Sequence, residues 1–312
     1  MKYLEKRAEM IRAIRNFFYS KDYLEVETPI RIPTPIPEEH IAPFESEGWY
    51  LQSSPEICMK RLASHGYGKI FQICKCFRKD ERGDRHLTEL TMLEWYSKDY
   101  SYMELMDECK EMIGYVAGEL LIPVRNMAQP DATEAGLYID YGNYRISMNN
   151  QWQQITVSEA FEQYGSMTME DAETTGCFDE IMAFEIEPCL GLKVPTFIYD
   201  YPASMASLAK LKPNESNLHK NDLAERFELY IAGIELANGF SELTDPVEQR
   251  ERLLNTVRKR KEKVMPIPEF FIKDLAKLPK TAGIALGVDR LAMIFTNSPA
   301  IDDVVAFTPE EL

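Results

Sequence analysis

Arg78, His86 and Glu94 fall within one stretch, residues 71–96 (FQICKCFRKDERGDRHLTELTMLEWY). Their types point to a place that holds a phosphate and an amine together. A guanidinium stays charged and forks onto two phosphate oxygens, while a carboxylate set deeper takes up an ammonium. Metal chemistry built on cysteine or histidine is not indicated. The six cysteines form no CxxC pair, and the four histidines show no HExxH spacing. Cys74 and Cys76 stand two apart on an expected strand and read as buried free thiols facing one side.

The elements around these residues follow from pattern. Phe71, Ile73 and Phe77 mark a strand, residues 79–85 a charged Gly-containing loop, and residues 91–96 a return strand. That is a hairpin with a long polar loop, the kind of loop that tends to carry function. Residues 3–20 predict an amphipathic helix with Leu4, Ala8, Ile11, Ile14 and Phe18 inward, followed by a strand stopped at Pro29. The proline-rich segment 29–37 predicts extended loop. Ser54 and Pro55 open a helix from Glu56 to about His65; Glu56 complements that helix N-terminus, and by sequence alone this capping role outweighs a ligand-binding one. A helix is expected over 98–121, strand-like pieces over 138–146, and a helix capped by Thr156 or Ser158. Residues 165–194 predict a small acidic helical insertion, residues 195–202 a buried strand, and residues 225–236 one alternating strand with Phe227, Leu229 and Ile231 on one face. A charged helix is expected over 247–263, where the basic run 258–263 reads as a solvated face, and a strand then a helix over 281–295.

The 312 residues, 45% hydrophobic and 28% charged, describe a soluble globular chain in one large domain. No apolar run approaches a membrane span and no signal peptide opens the chain, so the expected compartment is the cytoplasm. The formal net charge of −16 argues against a partner such as tRNA or DNA, whose phosphates call for basic excess.

Three stretches together resemble class II aminoacyl-tRNA synthetases: residues 3–30 the first motif, ending at Pro29; Phe77-Arg78 through Glu94 the second; and Gly287-Val-Asp-Arg290-Leu the third. The resemblance implies an α+β fold, an antiparallel sheet flanked by helices. The strings Ser54-Pro55-Glu56 with Met59-Lys60-Arg61-Leu62, Met92-Leu93-Glu94-Trp95-Tyr96, and residues 233–245 (GIELANGFSELTD) are lysyl-type. The sequence begins directly at the first motif, so the expectation is a chain without an anticodon-binding domain. In this it is similar to the elongation factor P lysine ligases, as are residues 202–209 (PASMASLA) and 285–290 (ALGVDR). The resemblance covers residues 1–312 as a single catalytic domain with a divergent insertion at about 122–194.

By that resemblance the chain activates a carboxylate with ATP and Mg²⁺ and passes the acyl group to a nucleophile. Arg78 and Arg290 are the implied catalytic residues, gripping the α-phosphate and the distal phosphates. Lys79, Asp80, His86, Leu87, Leu90, Glu235, Leu236 and Gly287 complete the implied ATP site. Glu228 and Glu235 are the implied magnesium carboxylates; on one unbroken strand their spacing of seven would set them on opposite faces, so a bend or bulge is required. Without the resemblance they read as two solvated strand carboxylates. The implied amino-acid pocket is Ser54, Pro55, Glu56, Glu94, Tyr96, Asn238, Phe240, Glu242 and Ala285, acidic as a diamine requires. Ala285 stands where lysyl-tRNA synthetases carry glycine, which implies (R)-β-lysine in preference to lysine; the bare sequence equally fits a small residue packed on its strand.

Departures from the family pattern lie around the loop. Lys79-Asp80 replaces Asn-Glu, and Leu87-Thr88-Glu89-Leu90 replaces Asn-Pro-Glu-Phe, so Leu90 offers adenine only apolar contact. The expectation is a ligase acting on elongation factor P, homodimeric and independent of tRNA and membrane. A ligase with another acceptor, a carrier protein or small molecule, and an inactive synthetase-like regulatory protein are the alternatives.

Overall fold

The structure is a computed structural model that describes residues 3–39, 41–121, 136–149, 151–213, 222–260 and 265–312. His40, His219, residues 122–135 of the insertion and residues 261–263 of the basic run lie outside the described residues.

One eight-stranded sheet organises the chain. Across the sheet the strands run Leu24–Glu25, Lys69–Phe77, Glu89–Lys98, Thr281–Gly287, Ile234–Ser241, Leu223–Ile231, Thr196–Pro202 and Gln153–Thr156. The central pairings are antiparallel, as expected. The two outermost are parallel, Leu24–Glu25 with Lys69–Phe77 and Gln153–Thr156 with Thr196–Pro202, so the sheet is mixed.

Strand alternation assigns the two faces. Leu93 and Trp95, Ile284 and Leu286, and Phe227, Leu229 and Ile231 point into the main core. There they meet the helices Leu4–Ser20, Tyr102–Leu120 and Val288–Thr296. The buried stripe of the first helix is Met10, Ala13, Ile14, Phe17 and Phe18, with Ala8 exposed. It is thus rotated from the expected one. Ser101 and Glu104 form a capping box that starts Tyr102–Leu120, and Thr156 and Glu159 another that starts Val157–Tyr164. The opposite face carries Glu94, Tyr96, Gly283, Ala285, Arg226, Glu228 and Tyr230. Two smaller apolar clusters flank it, one from the segment 155–230 and one from the helices Glu56–Ser64, Pro246–Lys259 and Glu269–Leu275.

Residues 225–236 are not one strand. Ala232 and Gly233 take φ of 56° and 69° and turn the chain back on itself, joining Leu223–Ile231 to Ile234–Ser241. Two consecutive positive φ values are the requirement of a tight hairpin turn. Glycine meets it freely and alanine does not.

Candidate active site

The site is built on rows that run across the sheet. One row passes from Gln72 through Glu94, Ala285 and Asn238 to Glu228, each the register partner of the next. The adjacent row is Ile70, Tyr96, Gly283, Phe240 and Arg226. Cross-strand partners lie on the same face, so five strands contribute one continuous polar floor.

At one end of the floor a cavity of about 260 Å³ is lined by Arg78, Glu81, His86, Leu87, Leu90, Leu236, Glu235, Gly287 and Arg290, and reaches down to Asn238 and Ala285. Arg78 follows the strand Lys69–Phe77 and is anchored by its backbone N–H donating to Thr88 O at 2.9 Å. Its side chain pairs with Glu81 at 3.6 Å, while its Nε is buried without a hydrogen-bond partner. Arg290, in the first turn of Val288–Thr296, donates to the Glu235 carbonyl at 2.9 Å and pairs with the Glu235 carboxylate at 3.4 Å. It also contacts His86 Nε2. Burial, then the charge of Arg290, holds the His86 imidazole below its usual range, so at neutral pH it is uncharged and accepts from the guanidinium.

At the other end lies a buried acidic pocket. Tyr96 donates to Glu94 Oε1 at 2.6 Å, and Glu94 Oε2 is buried without a hydrogen-bond partner. Burial first, then repulsion from Glu56, pushes the Glu94 carboxyl well above the carboxylate range. Glu56 opens its helix as expected, but its Oε1 receives Lys60 Nζ at 2.5 Å from one helical turn on. The same Nζ lies 2.5 Å from Glu242 Oε2, an ion pair outside good hydrogen-bond alignment, and Glu242 Oε1 is buried and open. Burial lifts the Glu242 carboxyl to about 8 against the pull of Lys60.

Ala285 sits between Glu94 and Asn238. Phe240 packs on the Lys60 ammonium at 4.9 Å, and Ser54 Oγ accepts from the Glu56 N–H at 3.3 Å beside Pro55.

Glu228 and Glu235 stand on neighbouring antiparallel strands rather than on one. Glu228 pairs across with Asn238 and Glu235 with Tyr230, and a bulge between those pairs restores a shared face. Their surroundings differ. Glu228 Oε1 accepts from Arg226 at 2.6 Å and Asn238 at 3.0 Å, and its Oε2 from Tyr201 at 2.6 Å and Tyr230 at 2.7 Å. Its acceptor sites are largely filled. Glu235 lines the cavity, whereas among the described residues no group of three or more His, Cys, Asp or Glu is arranged to hold a metal ion.

Lys79 and Asp80, expected at ATP, are exposed and absent from the lining of this cavity. The Lys79 N–H donates to Ala42 O at 2.9 Å and its side chain borders a second cavity with Tyr50 and Met265. Asp80 occupies a turn with φ of 66°. The sequence reading missed Lys60, Glu81, Glu38 and Glu187. Lys60 carried a signal, its four-residue offset from Glu56 on a helix, whereas Glu81, three residues after Arg78 in a loop, carried none. Glu38, half-buried beside Arg78 and bonded to Ser53, lies just past the proline-rich segment, where no periodicity exists. Glu187 comes from the insertion; Tyr230 donates to it at 3.2 Å, and burial followed by Glu228 pushes its carboxyl up.

A mostly antiparallel sheet whose floor joins an arginine-lined cavity to a carboxylate pocket defines a class II synthetase catalytic domain. The family profile "tRNA synthetases class II (D, K and N)" matches residues 1–311, and the chain belongs to that family. Two similar relatives, from Salmonella gallinarum (strain 287/91 / NCTC 13346) and Salmonella paratyphi B (strain ATCC BAA-1250 / SPB7), bear the name elongation factor P–(R)-β-lysine ligase. Each is 38% identical to this chain, over 98% of it and 94% of the relative.

Proposed function

We propose that this chain activates lysine or (R)-β-lysine with ATP and transfers the acyl group to a lysine of elongation factor P. The observation that carries the substrate reading is the pair of open, buried carboxylate oxygens, Glu94 Oε2 and Glu242 Oε1, on a floor continuous with the arginine-lined cavity. Buried carboxylates without cations are costly, and a diamine supplies two. The names of the relatives support (R)-β-lysine and elongation factor P as the particular substrates.

In this reading Glu94, Tyr96 and Glu242 hold the amines, and Arg78 holds the α-phosphate through the guanidinium nitrogen left open. The amino-acid carboxylate attacks the α-phosphorus and pyrophosphate departs. The amine of the acceptor lysine then attacks the acyl carbon and AMP departs. Arg290, braced by Glu235 and His86, meets the distal phosphates. Leu87, Leu90 and Leu236 provide apolar contact for the base. No side-chain nucleophile is needed, because positioning and charge stabilisation account for this chemistry. Magnesium, when bound, neutralises phosphate charge. Glu235 fits it, since Mg²⁺ takes one or two carboxylates beside phosphate oxygens, and Glu228 keeps the hairpin in register behind it.

The protein acts as one catalytic domain, a homodimer without tRNA as substrate. Tyr19, Leu24 and Ile30, exposed around the edge strand Leu24–Glu25, support the dimer. Incubation with elongation factor P, ATP and each amino acid, read by intact-protein mass, tests the proposal. A gain of one lysyl residue on the factor is expected; an unmodified factor beside active pyrophosphate exchange would move the acceptor elsewhere.

A further inference from the structure

We propose that Lys60 is a built-in counter-cation that sets the charge of the amine pocket at two uncompensated carboxylates, and thereby makes it selective for diamino acids. The inference rests on the diamine reading above and deepens it. Three carboxylates face the pocket: Glu56, Glu94 and Glu242. Lys60 Nζ lies 2.5 Å from Glu56 Oε1 and 2.5 Å from Glu242 Oε2, so one ammonium is shared between two of them. Its side chain is 1% exposed, and the rings of Phe240 and Phe271 lie 4.9 and 5.9 Å from the nitrogen. When all three are ionised around bound substrate, three negative charges less the one on Lys60 leave two, which equals the two ammonium groups of lysine or β-lysine.

Lys60 also decides which oxygens remain for substrate. It forms its ion pair with Glu242 Oε2, while Oε1 has no hydrogen-bond partner and lies next to Gly283, where a Cβ would come within 2.7 Å of that oxygen. A lysine serving only to fasten its helix to the sheet would need one carboxylate. This one bridges the two that flank the amine site. Three bare carboxylates in a dry pocket would instead keep protons or capture a stray cation.

The charges facing Glu242 are Lys60 and Glu56 from the helix Glu56–Ser64; the pocket's other ionisable groups are Glu94 and Tyr96 on the strand Glu89–Lys98 and the Cys74 thiol, on the neighbouring strand Lys69–Phe77, which acts on Glu94. Burial raises the Glu242 carboxyl to about 8 and Lys60 opposes that rise. Removing the cation therefore drives the Glu242 carboxyl further up, so that ionising it to meet an ammonium costs more at pH 7.5 and becomes easier again only at higher pH.

The test is ATP–pyrophosphate exchange with Lys60→Met and Lys60→Arg, each checked by thermal melting. In Lys60→Met the KM for lysine should rise roughly tenfold or more at pH 7.5. It should fall back as the pH is raised to 9, with the KM for ATP unchanged. Lys60→Arg, which keeps the charge, should stay within a few-fold of wild type. A lysine KM in Lys60→Met equal to that of wild type across the pH range overturns the proposal, as does an equal loss in Met and Arg variants at unchanged KM. Lys60→Gln is judged by the same criteria should the Met variant fail to fold. Wild-type enzyme that activates no diamine would overturn the substrate reading itself, a result distinct from normal wild-type exchange with an unaltered variant.

Discussion

Glu94 and Glu242 are carboxyl groups that must be ionised to bind a cation, yet both are raised by burial. This makes lysine binding pH-dependent with a definite sign. Burial pushes the Glu242 carboxyl up to about 8, so affinity for lysine should increase as pH rises from 6.5 towards 8.5. For a carboxyl raised on folding, stability is fully present below its unfolded value and is lost as pH rises through the folded one. The melting temperature without substrate should accordingly fall over that upper range, while the increase caused by lysine grows; thermal melting at a series of pH values measures both. Arg78→Lys removes the forked guanidinium and should lower exchange roughly a hundredfold or more, the scale of losing a transition-state donor. Ala285→Gly enlarges the floor between Glu94 and Asn238 and should shift exchange from (R)-β-lysine towards lysine; an unchanged ratio would remove Ala285 from the specificity argument. Much at this scale was legible. Glu56, Glu94, Asn238 and Glu242 were named from motif strings and come together around one floor. The filling of Glu228 was not legible, because Tyr201 is 27 residues away on a different strand. Lys79 and Asp80 follow Arg78 directly in sequence, but the turn at Asp80 sends them away from the cavity.

Glycine and a hairpin turn fix how closely the strands bring these groups. Gly283 lies opposite Tyr96, and a Cβ there would stand 2.3 Å from Tyr96 Cε1. Gly283→Ala should therefore displace the Tyr96 ring and abolish lysine-dependent exchange more than it weakens ATP binding, which separate titrations would reveal. Near the nucleotide end, Arg7 from the first helix pairs with buried Asp289 at 2.6 Å, and Asp289 also accepts the Thr91 N–H at 2.7 Å. Arg7→Ala strands that buried charge and should cost about 3–5 kcal/mol in chemical denaturation. Helices and strands with strong periodicity were evident in the sequence to within a few residues, including the loop-bearing hairpin. The turn at Ala232-Gly233 was not, because Ala is an unfavourable first residue for such a turn, although the apolar positions shift from odd (Phe227, Leu229, Ile231) to even (Ile234, Leu236) across it. Treating 225–236 as one strand made the placement of Glu228 and Glu235 a puzzle that two strands and a bulge resolve.

The whole molecule carries a formal charge of −16, and its field opposes a polyanionic acceptor. Titration with tRNA at physiological salt should show no binding, whereas analytical ultracentrifugation should show a dimer that Leu24→Lys or Ile30→Glu dissociates. Among the described residues no helix is long and apolar enough to cross a membrane. The class of fold was legible from three motifs in order. The parallel edge strands were not, because two-residue Leu24–Glu25 is too short to show its direction of pairing. ATP–pyrophosphate exchange across lysine, (R)-β-lysine, ornithine and norleucine bears most directly on the joined phosphate and amine sites. Exchange that requires lysine or (R)-β-lysine and is lost in Arg78→Ala and in Glu94→Gln is the expected result. Exchange supported equally by norleucine, or by no amino acid, would contradict it.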